Sequence, residues 1–206
     1  NAAKKVVELT KKSRRVHDRI VWAVGTRRFV LPEADSATKR RMCEAIIRRL
    51  NRERSPLARL ELCRAMFSKA IALDGAEEHD KELEAYQDII SEFGLDQCDT
   101  IRSLVARAMF NKAVTLGQLG RNKEALDVFQ AMIDTFSDEK SDKIHLGVAA
   151  AMFSTGVTLG QLDRNKEALD AYQAVIDTFG DEKSDEIRRQ VAMAMFNMGV
   201  TLVQLG

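Results

Sequence analysis

Apolar residues recur at helical spacing in the second half of the chain. In residues 122–136 the apolar positions are three or four apart, namely Ala125, Leu126, Phe129, Met132, Ile133 and Phe136. Polar residues stand between them, among them Asp127, Gln130 and Asp134. This spacing places the apolar side chains on one face of an α-helix. An amphipathic helix from about Lys123 to Phe136 is therefore predicted.

The pattern belongs to an internal repeat of 43 residues. The tripeptide AMF begins at residues 65, 108, 151 and 194, and residues 108–150 match residues 151–193 at 30 of 43 positions. The units lie near 56–97, 98–140 and 141–183, with a truncated unit at 184–206. Each complete unit predicts two antiparallel helices, called here the first and the second helix. Because one amphipathic helix cannot bury its apolar face alone, the units are expected to stack into an all-α solenoid.

Residues at helix ends support these boundaries. Ser55 precedes Pro56, which combines an N-cap side chain with proline at the first helical position. The first helix of the unit near 98–140 is predicted from about Asp99 to Leu119, and Gly120 ends it. Upstream of the repeats, Ser36 is predicted to cap a helix that continues to about Arg52.

The repeats resemble the tetratricopeptide repeat family in a lengthened form over residues 56–206. Small residues of the family pattern match Ala70, Ala113, Gly156 and Gly199 in the first helices and Ala125 and Ala168 in the second helices. The aromatic residue four positions later matches Phe129 and Tyr172. The departures are a period longer than the usual length of about 34 residues, Met109 and Met152 where the family prefers tryptophan, and Asp163 at a turn glycine. The resemblance implies a right-handed superhelical solenoid with a concave groove for a peptide or partner protein.

A second apolar stripe on the first helices provides the candidate binding residues. A helix that is apolar on two sides is expected to be covered on both. Either neighbouring helices cover this stripe or a bound partner segment does, and the sequence leaves both alternatives open. The predicted concave-face residues are Phe67, Ile71, Phe110, Val114, Gly117, Gln118, Phe153, Val157, Gly160, Gln161, Phe196 and Val200.

Residues 1–54 form a separate, basic helical region ahead of the repeat array at 55–206. Residues 1–60 hold 17 Lys and Arg against 6 Asp and Glu, whereas the rest of the chain is net acidic. A helix over residues 3–24 is predicted, with Val16 facing inward and Trp22 on the basic side, followed by a break at residues 25–35. The predicted basic patch consists of Lys11, Arg15, Arg19, Arg41, Arg48 and Arg52.

Composition limits the chemistry that the chain can perform. The three cysteines, Cys43, Cys63 and Cys98, form no CxxC pair, which indicates reduced thiols packed as small core residues in a cytoplasmic protein. The sequence shows no metal-ligand spacing, no nucleotide-binding loop and no catalytic motif, so we predict neither a metal, a cofactor nor an enzyme. No transmembrane helix is predicted and no membrane partner is expected.

The sequence therefore predicts a protein-interaction module, as a scaffold or as the sensor or adaptor part of a larger protein. It would bind a peptide or partner protein on a repeat surface. The alternatives are a nucleic-acid-associated adaptor acting through the basic N-terminal helices, or an acidic partner at that region, and the regulatory arm of an enzyme. Self-association through an open C-terminal repeat end is a further expectation.

Overall fold

Within residues 15–205, which the computed structural model describes, the protein is built from helices. Nine α-helices occur in this range: α1 (Val16–Phe29), α2 (Ser36–Leu50), α3 (Pro56–Asp74), α4 (His79–Phe93), α5 (Asp99–Gln118), α6 (Asn122–Phe136), α7 (Asp142–Gln161), α8 (Asn165–Phe179) and α9 (Asp185–Leu205). A short 3₁₀ helix, Leu31–Glu33, follows α1. The described range contains no β-strand. The predicted all-α class is confirmed.

Consecutive helices pack against each other in pairs. Helix α3 packs on α2 and α4, and in the second half of the chain α8 packs on α7 and α9. Short connections join these helices, so that neighbours run antiparallel. This consecutive packing agrees with the predicted solenoid of helix pairs. The chain divides into two compact units between Val105 and Ala106, inside α5; the domain boundary near residue 54 stays a prediction.

The turn between the first and second helix has the same backbone conformation in all three units. Glu77, Gly120 and Asp163 stand 43 residues apart, with φ angles of 57°, 72° and 57°. In this left-handed turn the Arg121 N–H donates to the Leu116 carbonyl at 2.9 Å, which satisfies a carbonyl at the helix end. Aspartate tolerates this conformation better than most residues. The repeat therefore keeps its turn although only one unit has glycine there.

Of the two serines predicted above to cap helices, Ser55 does so and Ser36 does not. The Ala58 N–H donates to the Ser55 hydroxyl oxygen at 3.4 Å, as expected for a serine N-cap. The prediction that Ser36 caps α2 is wrong, because Asp35 is the N-cap and accepts from the Thr38 N–H at 2.8 Å. An aspartate carboxylate accepts this bond and also interacts favourably with the helix dipole.

Each second helix ends at a buried phenylalanine. Phe93 and Phe136 are fully buried and Phe179 is 1% exposed, and the three stand one repeat period apart. Burial of such a side chain contributes about 1.5–3 kcal/mol. The repeated apolar pattern is thus the pattern of the core.

The N-terminal helix differs from its prediction. Helix α1 continues through Gly25 to Phe29, where a break was predicted, while residues 3–14 of the predicted helix lie outside the described residues. Val16, predicted to face inward, is exposed, and Trp22, predicted on the basic side, is only 5% exposed. The Arg49 guanidinium lies 4.3 Å from the centre of the Trp22 ring. This cation–π contact lets the tryptophan pack under a basic residue.

Candidate functional site

The candidate phenylalanines occupy equivalent positions but differ in burial. Phe67 and Phe153 are buried, and each contacts an aromatic side chain of its second helix, Tyr86 at 6.1 Å and Tyr172 at 6.0 Å between ring centroids. These two side chains are therefore core residues, which agrees with the alternative that neighbouring helices cover the stripe. Phe110 makes the equivalent contact and is half-buried. Phe196, in contrast, is 71% exposed.

The other concave-face candidates are distributed between partly covered and exposed sites. Val114 and Val157 are half-buried, whereas four candidates are exposed, namely Ile71, Gln118, Gln161 and Val200. A Cβ atom added at Gly117 or Gly160 would meet nothing within 4 Å in the described part of the chain. No neighbouring helix there explains the absence of a side chain at these two glycines.

A groove lies on the first helices of the second compact unit, residues 106–206. Its cavity has a volume of about 650 Å³. The groove is lined by Ala106, Arg107, Phe110, Asn111, Met132, Lys143, Leu146, Gly147, Ala150, Glu186, Arg189 and Gln190. These residues come from α5, α6, α7 and α9, so that three successive first helices form most of its wall.

The groove combines an apolar floor with a charged rim. Ala106 and Met132 are buried at its base, and Phe110 and Leu146 are half-buried beside them. The rim carries three basic side chains and one acidic side chain: Arg107, Lys143, Arg189 and Glu186. An apolar floor with a few polar groups around it is typical of sites that bind a ligand or an anchor side chain of a partner.

One of the predicted concave-face residues, Phe110, lines this groove. The other residues of the groove were not predicted, because the predicted stripe consists of positions that the repeats share. The groove uses positions at which the two most similar units differ: Lys143, Leu146 and Gly147 stand 43 residues before Glu186, Arg189 and Gln190, which also line it. The two segments match at 30 of 43 positions, and these differences are the sequence signal that could have pointed to the groove.

Ion pairs to carboxylates later in the chain engage several arginines of residues 15–60. The Arg27 guanidinium contacts the buried Glu61 carboxylate at 2.7 Å, and Arg19 contacts Glu53 at 2.7 Å. The Asp96 carboxylate accepts from Arg59 at 2.9 Å. These three arginines are thus engaged within the compact unit to which they belong.

The other basic-patch candidates that the structure describes are exposed arginines. Lys11 lies outside the described residues, and Arg15, Arg41, Arg48 and Arg52 are exposed. Arg41 borders a cavity of about 470 Å³ in the first unit, where basic and acidic side chains alternate and few apolar groups are present. This mixture of charges gives that cavity little preference for an anion.

Three possible metal ligands meet at the turn between α3 and α4. The ligand atoms of Asp74, His79 and Glu82 all lie within 4.8 Å of one another. This set has the carboxylate and imidazole groups that divalent cations use. The sequence analysis missed it because the turn, rather than local spacing, brings Asp74 to the other two. The equivalent residues of the next unit, Gly117, Asn122 and Ala125, lack this chemistry, so the cluster is particular to the first unit.

The cysteines are only partly the core residues that the sequence predicts. Cys43 and Cys63 are buried and Cys98 is exposed, and all three are free thiols. Burial raises the pKa of Cys43 to about 11 and that of Cys63 to about 12. The two buried thiols therefore stay protonated at neutral pH.

Comparisons with known proteins do not assign the chain to a family. No protein-family model matches the sequence, and no curated protein matches it significantly. In the described residues, no helix has both the length and the apolar character needed to cross a membrane.

Proposed function

We propose that the chain is a protein-interaction module and that the groove binds a segment of a partner protein. The observation that carries this proposal is a cavity of about 650 Å³ with an apolar floor, walled by successive first helices. A groove of this composition offers both an apolar anchor site and polar groups for orientation. The resemblance to tetratricopeptide repeats supports the same assignment, with the protein acting as a scaffold or as the sensor or adaptor part of a larger protein.

The charges of the rim favour a partner segment with acidic residues. Three basic side chains and one acidic side chain border the groove. Complementary charge speeds association and selects among partners, while buried apolar contacts supply most of the affinity. We therefore expect an apolar side chain of the partner to seat beside Phe110 and Leu146, with Asp or Glu residues next to it.

The other candidate functions have weaker support. The nucleic-acid adaptor depends on the basic N-terminal helices, and their Arg19, Arg27 and Arg40 are paired with carboxylates of the same compact unit. The alternative that the chain is the regulatory arm of an enzyme depends on a catalytic domain outside this segment. We propose that this chain is not itself an enzyme, since its sequence has no catalytic motif. We also propose a cytoplasmic setting, which the free thiols support.

Selection from a random peptide library displayed on phage tests the proposal directly. Peptides selected against the purified protein should contain an aromatic or aliphatic residue flanked by Asp or Glu. In Ala150→Trp the indole fills the groove from α7, and we expect it to weaken the selected peptides at least about tenfold, as loss of an anchor contact does. Arg107→Glu combined with Arg189→Glu should weaken acidic peptides selectively, because both side chains are exposed and lie at the rim.

Ala131→Trp is the matched control. Ala131 is exposed on α6 and does not line the groove, so the same large side chain there should leave peptide binding unchanged. Circular dichroism confirms that each variant is folded. Selected peptides that bind Ala150→Trp as well as they bind the wild type would contradict the proposed site.

A further inference from the structure

The turn between α3 and α4 differs chemically from the corresponding turns of the two later repeats. The ligand atoms of Asp74, His79 and Glu82 all lie within 4.8 Å of one another at this turn. Both later repeats have glycine, asparagine and alanine at the equivalent positions, namely Gly117, Asn122 and Ala125, then Gly160, Asn165 and Ala168. The three metal-ligating side chains therefore occur together in one repeat and are absent together from the other two.

Glu82 places a carboxylate at a core position of the repeat. Ala125 and Ala168, at the same place in the later second helices, are fully buried, and Glu82 is only 1% exposed. A buried carboxylate is costly unless a hydrogen bond, an opposite charge or a metal ion compensates it. The His79 Nδ1 atom lies 3.4 Å from the Glu82 Oε2 atom. The carboxylate thus points toward the imidazole rather than toward solvent.

Helix geometry and the turn hold the three side chains together. His79 and Glu82 are three residues apart in α4, which places them on one face of the helix. Asp74 is the last residue of α3. The Glu78 N–H donates to the Leu73 carbonyl at 3.1 Å and closes the turn. This backbone bond keeps Asp74 beside the first turn of α4.

The charge and the accessibility of the turn favour a cation. Residues 74–84 contain six Asp and Glu against one Lys. Glu78 forms ion pairs with Arg40 and Lys81, so it stands apart from the cluster. A concentration of negative charge raises the local concentration of cations. Because Asp74 is exposed and His79 is half-buried, an ion can reach the cluster from solvent.

We propose that Asp74, His79 and Glu82 bind a divalent transition-metal cation of the zinc class. An imidazole nitrogen combined with carboxylate oxygens suits such ions, whereas calcium and magnesium prefer oxygen ligands alone. In a tetrahedral zinc site with bonds of about 2.0–2.2 Å, neighbouring ligand atoms lie about 3.3–3.6 Å apart. The 3.4 Å between the His79 nitrogen and the Glu82 oxygen already matches this separation. The exposed Asp74 carboxylate supplies the third ligand, and water completes the coordination.

The bound ion joins the two helices of the first repeat. Asp74 belongs to α3, whereas His79 and Glu82 belong to α4. Because the turn must be folded to bring the three ligands together, the ion binds the folded state and stabilises it.

Isothermal titration calorimetry with zinc chloride tests the proposal on the full chain, with its metal removed beforehand and its thiols kept reduced. The wild type should bind one zinc ion per chain. Zinc should also raise the midpoint of thermal unfolding, since an ion that binds only the folded state stabilises that state. The absence of saturable binding overturns the proposal, and so does binding of calcium or magnesium in preference to zinc.

Two substitutions that copy a later repeat remove ligands one at a time. His79→Asn and Glu82→Ala introduce the residues found at the equivalent positions Asn122 and Ala125, so both are compatible with the repeat. Each should weaken zinc binding at least about tenfold, since loss of even a hydrogen-bond partner of a ligand weakens metal affinity about 10–100-fold. Circular dichroism checks that the variants are folded. Wild-type zinc affinity in either folded variant overturns the proposal.

Two control variants separate this cluster from other zinc ligands of the chain. The Nδ1 atom of His145 lies 3.7 Å from the Glu182 carboxylate, and Cys98 is an exposed free thiol. His145→Asn and Cys98→Ser should each bind zinc like the wild type. If either substitution removes the binding, the ion is held elsewhere and the proposal is overturned.

Discussion

Phe153 and Phe196 form a matched pair that measures how much burial by a neighbouring helix contributes to stability at one position of the second apolar stripe. They occupy the same position in the repeat, and both follow the residues Ala-Met. Phe153 is 9% exposed and contacts Tyr172, whereas Phe196 is 71% exposed. Replacing each with alanine therefore makes the same chemical change in two different environments.

The expected difference follows from burial. Truncation of a buried phenylalanine to alanine costs about 3–5 kcal/mol, which includes the cavity that remains. At Phe196 less than a third of the side chain is covered, so the corresponding loss is about 1 kcal/mol or less. Alanine also has a higher helix propensity than phenylalanine by about 0.5 kcal/mol, which offsets part of the loss at both sites. Phe153→Ala should therefore lower the free energy of unfolding by at least about 2 kcal/mol more than Phe196→Ala does.

Urea denaturation followed by far-ultraviolet circular dichroism measures both values, because the signal reports helix loss directly. The slope of the transition should stay the same in both variants, so that midpoints can be compared. Equal destabilisation by the two substitutions would refute the reasoning, since it would mean that the ring of Tyr172 and its helix do not bury Phe153. A larger effect at Phe196 would place that side chain in a core.

Two further predictions concern the turns and the thiols. Asp163→Gly should stabilise the fold by up to about 1 kcal/mol, because glycine adopts the left-handed conformation without a Cβ penalty. For the same reason Gly120→Ala should destabilise the fold by about 1 kcal/mol. Chemical denaturation measures both changes, and a stabilising Gly120→Ala would contradict the left-handed turn. Because burial raises the pKa of Cys43 to about 11 and of Cys63 to about 12, both thiols stay neutral at mildly alkaline pH. A thiol reagent should therefore modify Cys98 alone in the native protein and all three after denaturation, and rapid native labelling of three thiols would exclude the described burial.

The sequence by itself determined the helices of the repeat array and their period. Apolar residues at three- and four-residue spacing share one face only if the chain is helical. The recurrence of AMF every 43 residues aligned the units with one another. For the same reason the pattern of buried residues in α6 and α8 could be predicted from sequence. Local capping was less certain, because Asp35 and Ser36 are both good N-cap residues and only the backbone conformation distinguishes them.

The tertiary structure decided which apolar positions remain accessible. Phe153 and Phe196 both end the tripeptide AMF, yet one is buried and the other exposed, because burial depends on whether a second helix lies against that face. The groove also depends on packing, since its wall joins residues of successive repeats that are 43 positions apart in sequence. Pairing of Arg27 and Arg59 with carboxylates more than 30 residues away likewise follows from packing. Periodicity determines the face of a helix on which a residue lies, whereas the neighbour on that face is a property of the assembled helices.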